Sequence, residues 1–361
     1  MIIISQKKNP RLMVIYNMSE ISNSNPFKDK VILLTGGTGS FGTRFVQTVL
    51  DRYEPSAIRI FSRNEIKQVE LERKMAMHPK FDRLRFLIGD VREKERLNRA
   101  MNGVDVVVHA AALKHVPVCE YNPMEAMKTN VLGAENVINC AIDNNVVQVM
   151  AVSTDKAVAP VNLYGATKMV AEKLFIQANA YSGGRNTRFS CVRYGNVIGS
   201  SGSIVQLFLE QASKNGGGEN GEITITDERM TRFWITLEQG IDLVRRGISL
   251  MRGGEIFIPR ISSASVMDLA SVLAPKAKRK IIGIRPGEKL HEVLITPEEA
   301  RHTRESGDLF IIMPEFNFWQ SNNHADMPMV KSEFNYSSDR NPQQLSQKDI
   351  RNLLVKEGWL K

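Results

Sequence analysis

Short apolar segments alternate with helix-length segments through the first half of this 361-residue chain. Such alternation is typical of βαβ units, in which successive strands are parallel and each intervening helix covers one face of the sheet. The apolar segments are residues 31–35, 58–61, 84–88, 104–109, 146–152 and 188–192. The pattern predicts an α/β fold with a Rossmann-type, doubly wound parallel sheet.

The regular alternation fades after Asn196, which indicates two domains. We expect a first domain over residues 29–195 and a smaller second domain over most of residues 196–361. Within the second part, about residues 237–262 contain a helix-like and a strand-like segment. We expect this segment to return to the first domain.

Three segments fall outside the repeated pattern. Residues 1–28 match none of its elements and Met18 lies shortly before the first strand, so we expect a disordered tail or a true start at Met18. The glycine-rich residues 214–221 predict a solvent-facing loop. Ser346 is expected to cap a last helix.

Composition and charge narrow the class of protein. The first residues hold four consecutive apolar side chains, too few for a signal peptide or a membrane span, which favours a cytoplasmic protein with no membrane partner. The net charge is +9, but the Lys and Arg residues are dispersed along the chain. Binding of small anionic ligands therefore explains this charge better than binding of nucleic acid does. Neither a disulfide framework nor a metal site is expected from the three separated cysteines, Cys119, Cys140 and Cys191.

A glycine-rich turn follows the first predicted strand. Its glycines have GxxGxxG spacing and stand directly before a helix-length segment. Glycine lets the backbone approach a pyrophosphate, and the N-terminus of the following helix attracts its negative charge. The turn therefore predicts dinucleotide binding, with contacts from Gly36, Thr38, Gly39, Ser40, Phe41 and Gly42.

The end of the second predicted strand bears on which dinucleotide is bound. An NAD enzyme usually places an acidic residue there against the ribose hydroxyls. Ser62, Arg63 and Lys67 instead offer a hydroxyl and two cations, which favours the 2′-phosphate of NADP. The alternative is that NAD is bound. Glu65 would then accept from the ribose hydroxyls, and Arg63 and Lys67 would be solvent-exposed charges at the start of a helix. The remaining cofactor contacts are expected from Asn64, Asp90, Val91, Ala110, Tyr164 and Lys168.

Tyr164 and Lys168 are four residues apart, so on a helix both side chains face the same ligand. A tyrosine of ordinary pKa needs about 4 kcal/mol to ionise at neutral pH, and a cation about 4 Å away supplies a comparable amount at intermediate dielectric. The pair therefore predicts hydride chemistry with Tyr164 as the base. The alternative is a helix on which the two side chains only pack. Thr154, Asp155 and Lys156 lie just upstream.

Five longer segments carry a resemblance to a known family. They are HAAALKHVP, STDKAVAPVNLYGATK, VRYGNVIGS, MTRFWIT and IGIRPGEKLHE. With them the chain resembles the extended short-chain dehydrogenase/reductase superfamily and, within it, the inverting UDP-N-acetylglucosamine 4,6-dehydratases of the pseudaminic acid pathway. The resemblance extends from about Phe27 to the C-terminal helix, and it implies a homo-oligomer, with a hexamer as one form.

The resemblance also implies roles for the catalytic residues. Tyr164 would take the proton of the sugar C4 hydroxyl as hydride passes to a tightly bound NADP, and Thr154 would hydrogen-bond the resulting 4-ketone. Lys156 would then remove the C5 proton and Asp155 would protonate the departing C6 hydroxyl, before hydride returns to C6. Retaining relatives carry Asp-Glu at this place, so Lys156 indicates inversion at C5.

These roles require protonation states of Asp155 and Lys156 that water disfavours. Ordinary pKa values near 3.9 and 10.4 favour the ion pair by about 9 kcal/mol. Burial must therefore remove much of this difference. The alternative is a structural salt bridge in a loop.

By the same resemblance, the first domain would hold NADP and the second mainly the UDP-sugar. Arginine and lysine suit a diphosphate, and a glutamate can accept from a sugar hydroxyl. The alternative is that these arginines are ordinary surface residues beside a turn and do not contact a substrate. The implied substrate contacts are Lys114, Asn196, Arg232, Arg285 and Glu288.

Two other functions are compatible with the sequence. A nucleotide-sugar 4-epimerase would share Tyr164 and Lys168 but would have no use for Asp155 and Lys156. A non-enzymatic NADP-binding protein of the same fold would commonly lack the tyrosine or the lysine, and both are present here.

Overall fold

A computed structural model describes residues 24–360 apart from 201, 215–220, 317 and 320–322. Residues 1–23 of the expected tail, and residues 215–220 of the expected loop, therefore lie outside the described part. None of the described helices is long and apolar enough to cross a membrane.

Sixteen strands and twelve α-helices make up the described chain. The strands are β1 (Val31–Thr35), β2 (Ala57–Ser62), β3 (Leu84–Ile88), β4 (Val106–His109), β5 (Gln148–Val152), β6 (Arg188–Val192), β7 (Asn196–Val197), β8 (Glu222–Ile225), β9 (Thr231–Ile235), β10 (Ile256–Pro259), β11 (Ser263–Ser265), β12 (Lys278–Ile281), β13 (Val293–Ile295), β14 (Thr303–Ser306), β15 (Leu309–Ile312) and β16 (Tyr336–Ser337). The helices are α1 (Ser40–Arg52), α2 (Glu65–Met75), α3 (Lys94–Met101), α4 (Val116–Tyr121), α5 (Pro123–Met127), α6 (Gly133–Asp143), α7 (Leu163–Tyr181), α8 (Ile204–Lys214), α9 (Leu237–Leu250), α10 (Val266–Leu273), α11 (Pro297–Ala300) and α12 (Gln347–Lys356).

A nine-stranded sheet forms the centre of the fold, in the order β14-β15-β10-β6-β5-β4-β1-β2-β3. The seven strands from β10 to β3 are parallel, whereas β15 is antiparallel to β10 and β14 to β15. The inner strands are apolar along their length because helices cover both faces, and Val106, Val107 and Val108 are buried. The predicted doubly wound parallel sheet is confirmed.

The strand order reverses beside β1, which pairs with β2 on one side and β4 on the other. Connections that leave on opposite faces of the sheet open a crevice at the carboxyl ends of these two strands. This crevice determines where a ligand site can form.

A smaller body packs beside the large sheet. It contains a three-stranded sheet β11-β9-β7 and two strand pairs, β12-β8 and β13-β16. Its separate apolar core includes Phe208, Trp234, Leu269 and Leu354. Helix α12 closes this core, and its predicted cap is present because the Ser346 hydroxyl accepts from the amide of Asp349 at 3.2 Å.

The expected disordered tail over residues 1–28 extends too far along the chain, because Phe27 belongs to the core. Phe27 is fully buried, and its ring meets Phe45 and Tyr53 edge-on, each with 5.6 Å between ring centroids. The single aromatic residue belongs to no periodic run, so the sequence pattern gave no sign that it is a core residue.

Candidate active site

A cavity of about 780 Å³ opens at the carboxyl ends of the parallel strands. Segments that follow β1 to β6 all contribute to its wall, and so do residues of α8 and β9. A large cleft at the point where the strand order reverses is the usual ligand site of such sheets. Every predicted cofactor residue except Glu65 lines it.

The glycine turn brings the backbone of β1 against the segment after β4. Gly36 has φ of +69°, and a Cβ there would lie 2.8 Å from the Ala111 nitrogen. A Cβ on Gly42 would lie 2.5 Å from the backbone of Gly37. The N-terminus of α1 lines the cavity beside this turn. A close-packed backbone cradle at a helix N-terminus fits a dinucleotide pyrophosphate.

The segment after β2 presents positive charge to the cavity. Ser62, Arg63 and Lys67 line the wall, and the Asn64 side chain caps α2 by accepting from the amide of Lys67 at 2.9 Å. The Arg63 guanidinium is half exposed and lies 3.5 Å from the carboxylate of Asp90. This end of the cavity suits an anionic ribose substituent.

Thr154, Asp155 and Lys156 lie where β5 ends, and a 3₁₀ turn runs over Asp155–Ala157. The Asp155 amide donates to the Tyr194 carbonyl at 3.0 Å, which fixes the turn against the segment after β6. The Asp155 side chain is 1% exposed. The Lys156 ammonium lies 3.1 Å from Asp155 Oδ1 and 3.2 Å from Glu292 Oε1.

Burial acts differently on the two members of this pair. For Asp155, burial raises the pKa and outweighs the opposing attraction of Lys156. For Lys156, burial lowers the pKa, but the Asp155 and Glu292 carboxylates more than reverse this, and the pKa ends above its ordinary value. Asp155 thus moves towards the protonated form that its predicted role requires, whereas Lys156 does not move towards the free amine.

Tyr164 and Lys168 lie on the first turns of α7. The helix is capped by Asn162, whose Oδ1 accepts from the Gly165 amide at 2.7 Å. Burial raises the pKa of Tyr164 to about 12, against smaller opposing effects of Lys156 and of a hydrogen bond with Thr154. Lys168 donates to the Val152 carbonyl at 2.8 Å, and burial lowers its pKa.

The predicted substrate residues divide into two groups. Lys114 and Asn196 line the cavity, and the buried Asn196 Oδ1 has no hydrogen-bond partner among the described residues. Arg232, Arg285 and Glu288 do not contribute to the cavity wall. Arg232 is buried and donates to the carbonyls of Thr231, Lys289 and Leu290, so its guanidinium holds the 289–290 segment.

Several residues at the site were missed by the sequence pattern. Glu292 is the second carboxylate at Lys156, and Lys289 lies 3.7 Å from it. Both belong to the segment IGIRPGEKLHE, so that segment was the available signal. Tyr194, Ser203 and Trp234 also line the cavity; Tyr194 and Trp234 lie in the segments VRYGNVIGS and MTRFWIT, whereas Ser203 lies outside all five segments. Among the described residues, no cluster of His, Cys, Asp or Glu could hold a metal ion.

Comparisons with known proteins agree with this geometry. The profile of the polysaccharide biosynthesis protein family matches residues 32–314. The inverting UDP-N-acetylglucosamine 4,6-dehydratase of Campylobacter jejuni is 48% identical over 335 residues, which cover 91% of this chain and 98% of that protein. The UDP-glucose 4-epimerase of Rickettsia canadensis is 43% identical, covering 79% and 83%. The X-ray structure of Pen from Bacillus thuringiensis is 39% identical and superposes with a TM-score of 0.83, covering 92% and 99%.

The crowding at the glycine turn can be tested by comparing two glycines of similar φ. Gly103 has φ of +67° but nothing within 4 Å of the Cβ position. Gly103→Ala is expected to cost about 1–2 kcal/mol, since only the left-handed backbone is strained. Gly36→Ala should cost at least about 1 kcal/mol more, because the Cβ also meets backbone atoms. Urea unfolding measures both, and equal losses would contradict the close approach.

Proposed function

The chain belongs to the polysaccharide biosynthesis protein family, and we propose that it is an inverting UDP-N-acetylglucosamine 4,6-dehydratase. The observation that carries the proposal is that Asp155 and Lys156 line the same cavity as Tyr164 and Lys168. One pair suits oxidation at C4 and the other suits elimination across C5 and C6. The product is a 4-keto-6-deoxy sugar nucleotide, a precursor suited to the pseudaminic acid pathway.

A nicotinamide dinucleotide is the cofactor that this cavity fits. The glycine turn and the N-terminus of α1 would hold its pyrophosphate, and Asp90, Val91 and Ala110 would lie along its length. When bound, it supplies hydride chemistry, with uptake from C4 of the sugar and return to C6. The charge of Arg63 and Lys67 supports NADP over NAD, and Glu65 lies outside the cavity wall. We propose that the cofactor stays bound between turnovers.

Tyr164 is the base that takes the C4 hydroxyl proton. A pKa of about 12 would make its ionisation at neutral pH cost about 7 kcal/mol. Positive charge must therefore reach its hydroxyl in the complex, and Lys168, one helical turn away, is placed to supply it. Lys168 now donates to the Val152 carbonyl, and a turn of its flexible side chain would bring it towards a ribose hydroxyl and Tyr164.

Asp155 and Lys156 carry out the elimination. After its ammonium has released one proton to solvent, Lys156 removes the proton from C5, which the 4-ketone has made acidic, while Asp155 delivers its proton to the departing C6 hydroxyl and water leaves. Asp155 Oδ2 is buried and has no hydrogen-bond partner among the described residues. That oxygen is therefore free to face a sugar hydroxyl. Thr154 donates to Asp155 Oδ1 at 3.0 Å and can reorient towards the C4 oxygen.

A nucleotide-sugar 4-epimerase is the second candidate. It is favoured by the 43% identity to the Rickettsia epimerase, and it would use Tyr164 and Lys168 alone. We propose the UDP-sugar as substrate in either case, with Lys114 and Asn196 among its contacts. The resemblance also supports a homo-oligomer.

The two functions differ in their products. Purified protein incubated with UDP-N-acetylglucosamine in D2O is expected to yield a 4-keto sugar whose C6 is a methyl group and whose C5 carries deuterium. NMR of C5 and C6 measures both. A product that keeps its 6-hydroxyl and differs only at C4 would establish the epimerase instead.

Lys156→Ala tests the base. Because a positioned base contributes on the order of 10²–10⁴-fold, deuterium uptake at C5 should fall at least about 100-fold. Lys173→Ala is the matched control, since that side chain is 66% exposed and paired only with Glu315 among the ion pairs described. Retained exchange in Lys156→Ala would exclude Lys156 as the C5 base.

Arg63→Ala tests the choice of cofactor. A hydrogen bond to a charged group contributes about 1.5–3 kcal/mol, so the Kd for NADP should rise at least about tenfold while the Kd for NAD stays nearly constant. Arg73, which is exposed on helix α2 shortly after Arg63 and lies outside the cavity wall, serves as the control. Calorimetric titration measures both, and equal weakening for NAD and NADP would count against a 2′-phosphate contact.

A further inference from the structure

Lys156 lies between two buried carboxylates that come from distant parts of the chain. Asp155 and Glu292 are 1% and 3% exposed, and the Lys156 ammonium lies 3.1 Å from one and 3.2 Å from the other. The lysine side chain is 26% exposed, on the side where it lines the cavity. A single cation is thus shared between two acids, only one of which has a role in the elimination.

The two carboxylates have different surroundings. Glu292 lies within 4.0 Å of three cations, which are Lys156, Lys289 and Arg232. Asp155 has Lys156 and the Thr154 hydroxyl on Oδ1; its buried Oδ2, like Glu292 Oε2, accepts no hydrogen bond from the described residues. The anionic form of Glu292 is therefore stabilised by more positive charge than that of Asp155.

A proton added to this cluster goes to Asp155. Burial raises the pKa of Glu292, but Lys156, Arg232 and Lys289 reverse this, and the pKa ends below its ordinary value. Burial raises the pKa of Asp155, and the negative charge of Glu292 raises it further. Two carboxylates whose surroundings move their pKa values apart divide the roles of acid and anion between them.

Other charged or titratable groups face the cluster from each element around it. Tyr164 approaches from α7, Lys114 from the segment after β4, Arg232 from β9 and Lys289 from the segment before β13. Lys289 also donates to the Val158 carbonyl at 2.6 Å. Glu292 is the negative charge among them besides Asp155.

We propose that Glu292 is a positioning residue that anchors the Lys156 side chain and whose negative charge keeps a proton on Asp155 for the departing C6 hydroxyl. This proposal rests on the proposed function. Before the elimination, the Lys156 ammonium releases one proton to solvent; the C5–H bond then breaks with its proton passing to the free amine, the C6–O bond breaks, and the Asp155 proton leaves in the water formed. Without the Glu292 charge, Asp155 loses its proton more readily while the Lys156 amine can still take the C5 proton, so exchange at C5 continues but the hydroxyl lacks its acid.

Glu292→Gln separates these steps. In D2O with UDP-N-acetylglucosamine, the ratio of dehydrated product to C5-deuterated substrate is expected to fall at least about tenfold, since a positioned acid contributes on the order of 10²–10⁴-fold. Because both species are measured in one sample by NMR, the ratio does not depend on how much of the variant is folded. Loss of one negative charge also lowers the pKa of both Asp155 and Lys156, so the whole pH profile of dehydration should move to lower pH.

Two variants serve as controls. Glu292→Asp keeps the charge and should restore much of the ratio. Glu299→Gln makes the same chemical change at a carboxylate that pairs with Arg193 at 2.9 Å outside the cavity wall, and it should leave both the ratio and the pH profile unchanged.

The outcomes distinguish this proposal from the one it rests on. If exchange and dehydration fall together in Glu292→Gln while the pH profile keeps its position, Glu292 is only structural and the proposal is wrong. If the wild-type protein neither dehydrates the sugar nor incorporates deuterium at C5, the proposed function itself fails.

Discussion

The order of the parallel strands around β1 is the constraint on which the rest of this molecule depends. Since β2 and β4 pair with β1 on opposite sides, the carboxyl ends of six consecutive strands border one crevice. The glycine turn, the pair Tyr164 and Lys168, and the pair Asp155 and Lys156 therefore line one cavity without long loops to bring them together. This arrangement brings the backbone of Gly36 close to that of Ala111. Only glycine fits there, because any Cβ atom would meet the Ala111 backbone.

The charges at the site come from both parts of the molecule. Residues 154–156 follow a strand of the large sheet, whereas Arg232, Lys289 and Glu292 belong to the smaller body and the segment that joins it. Hydrogen bonds from Asn162 to the Gly287 carbonyl and from Lys289 to the Val158 carbonyl hold the two together. Burying unlike charges side by side is favourable only when partners are held in place, and these bonds hold them.

The fold could be read from the sequence because its signals are local. Strands β1, β3 and β6 have the predicted bounds, since each is a short, mainly apolar segment. The glycine turn and the Tyr164–Lys168 spacing are local as well.

The features that could not be predicted depend on docking between distant segments. Arg232 resembles a phosphate ligand in sequence but donates to backbone carbonyls, and nothing adjacent to Glu292 indicates that it meets Lys156. The burial of Phe27 likewise depends on Phe45 and Tyr53 across the fold.

The two carboxylates beside Lys156, Asp155 and Glu292, come from segments that are synthesised at different times. During synthesis the glycine turn, α1 and the first six strands, which end at Val192, leave the ribosome before the segment around Glu292 does. The turn that carries Lys156 then has a single acidic neighbour, Asp155. Only when the last third of the chain docks through Gly287 and Lys289 does the second carboxylate arrive. The residues that line the glycine turn and those that complete the surroundings of Lys156 are therefore synthesised at different times.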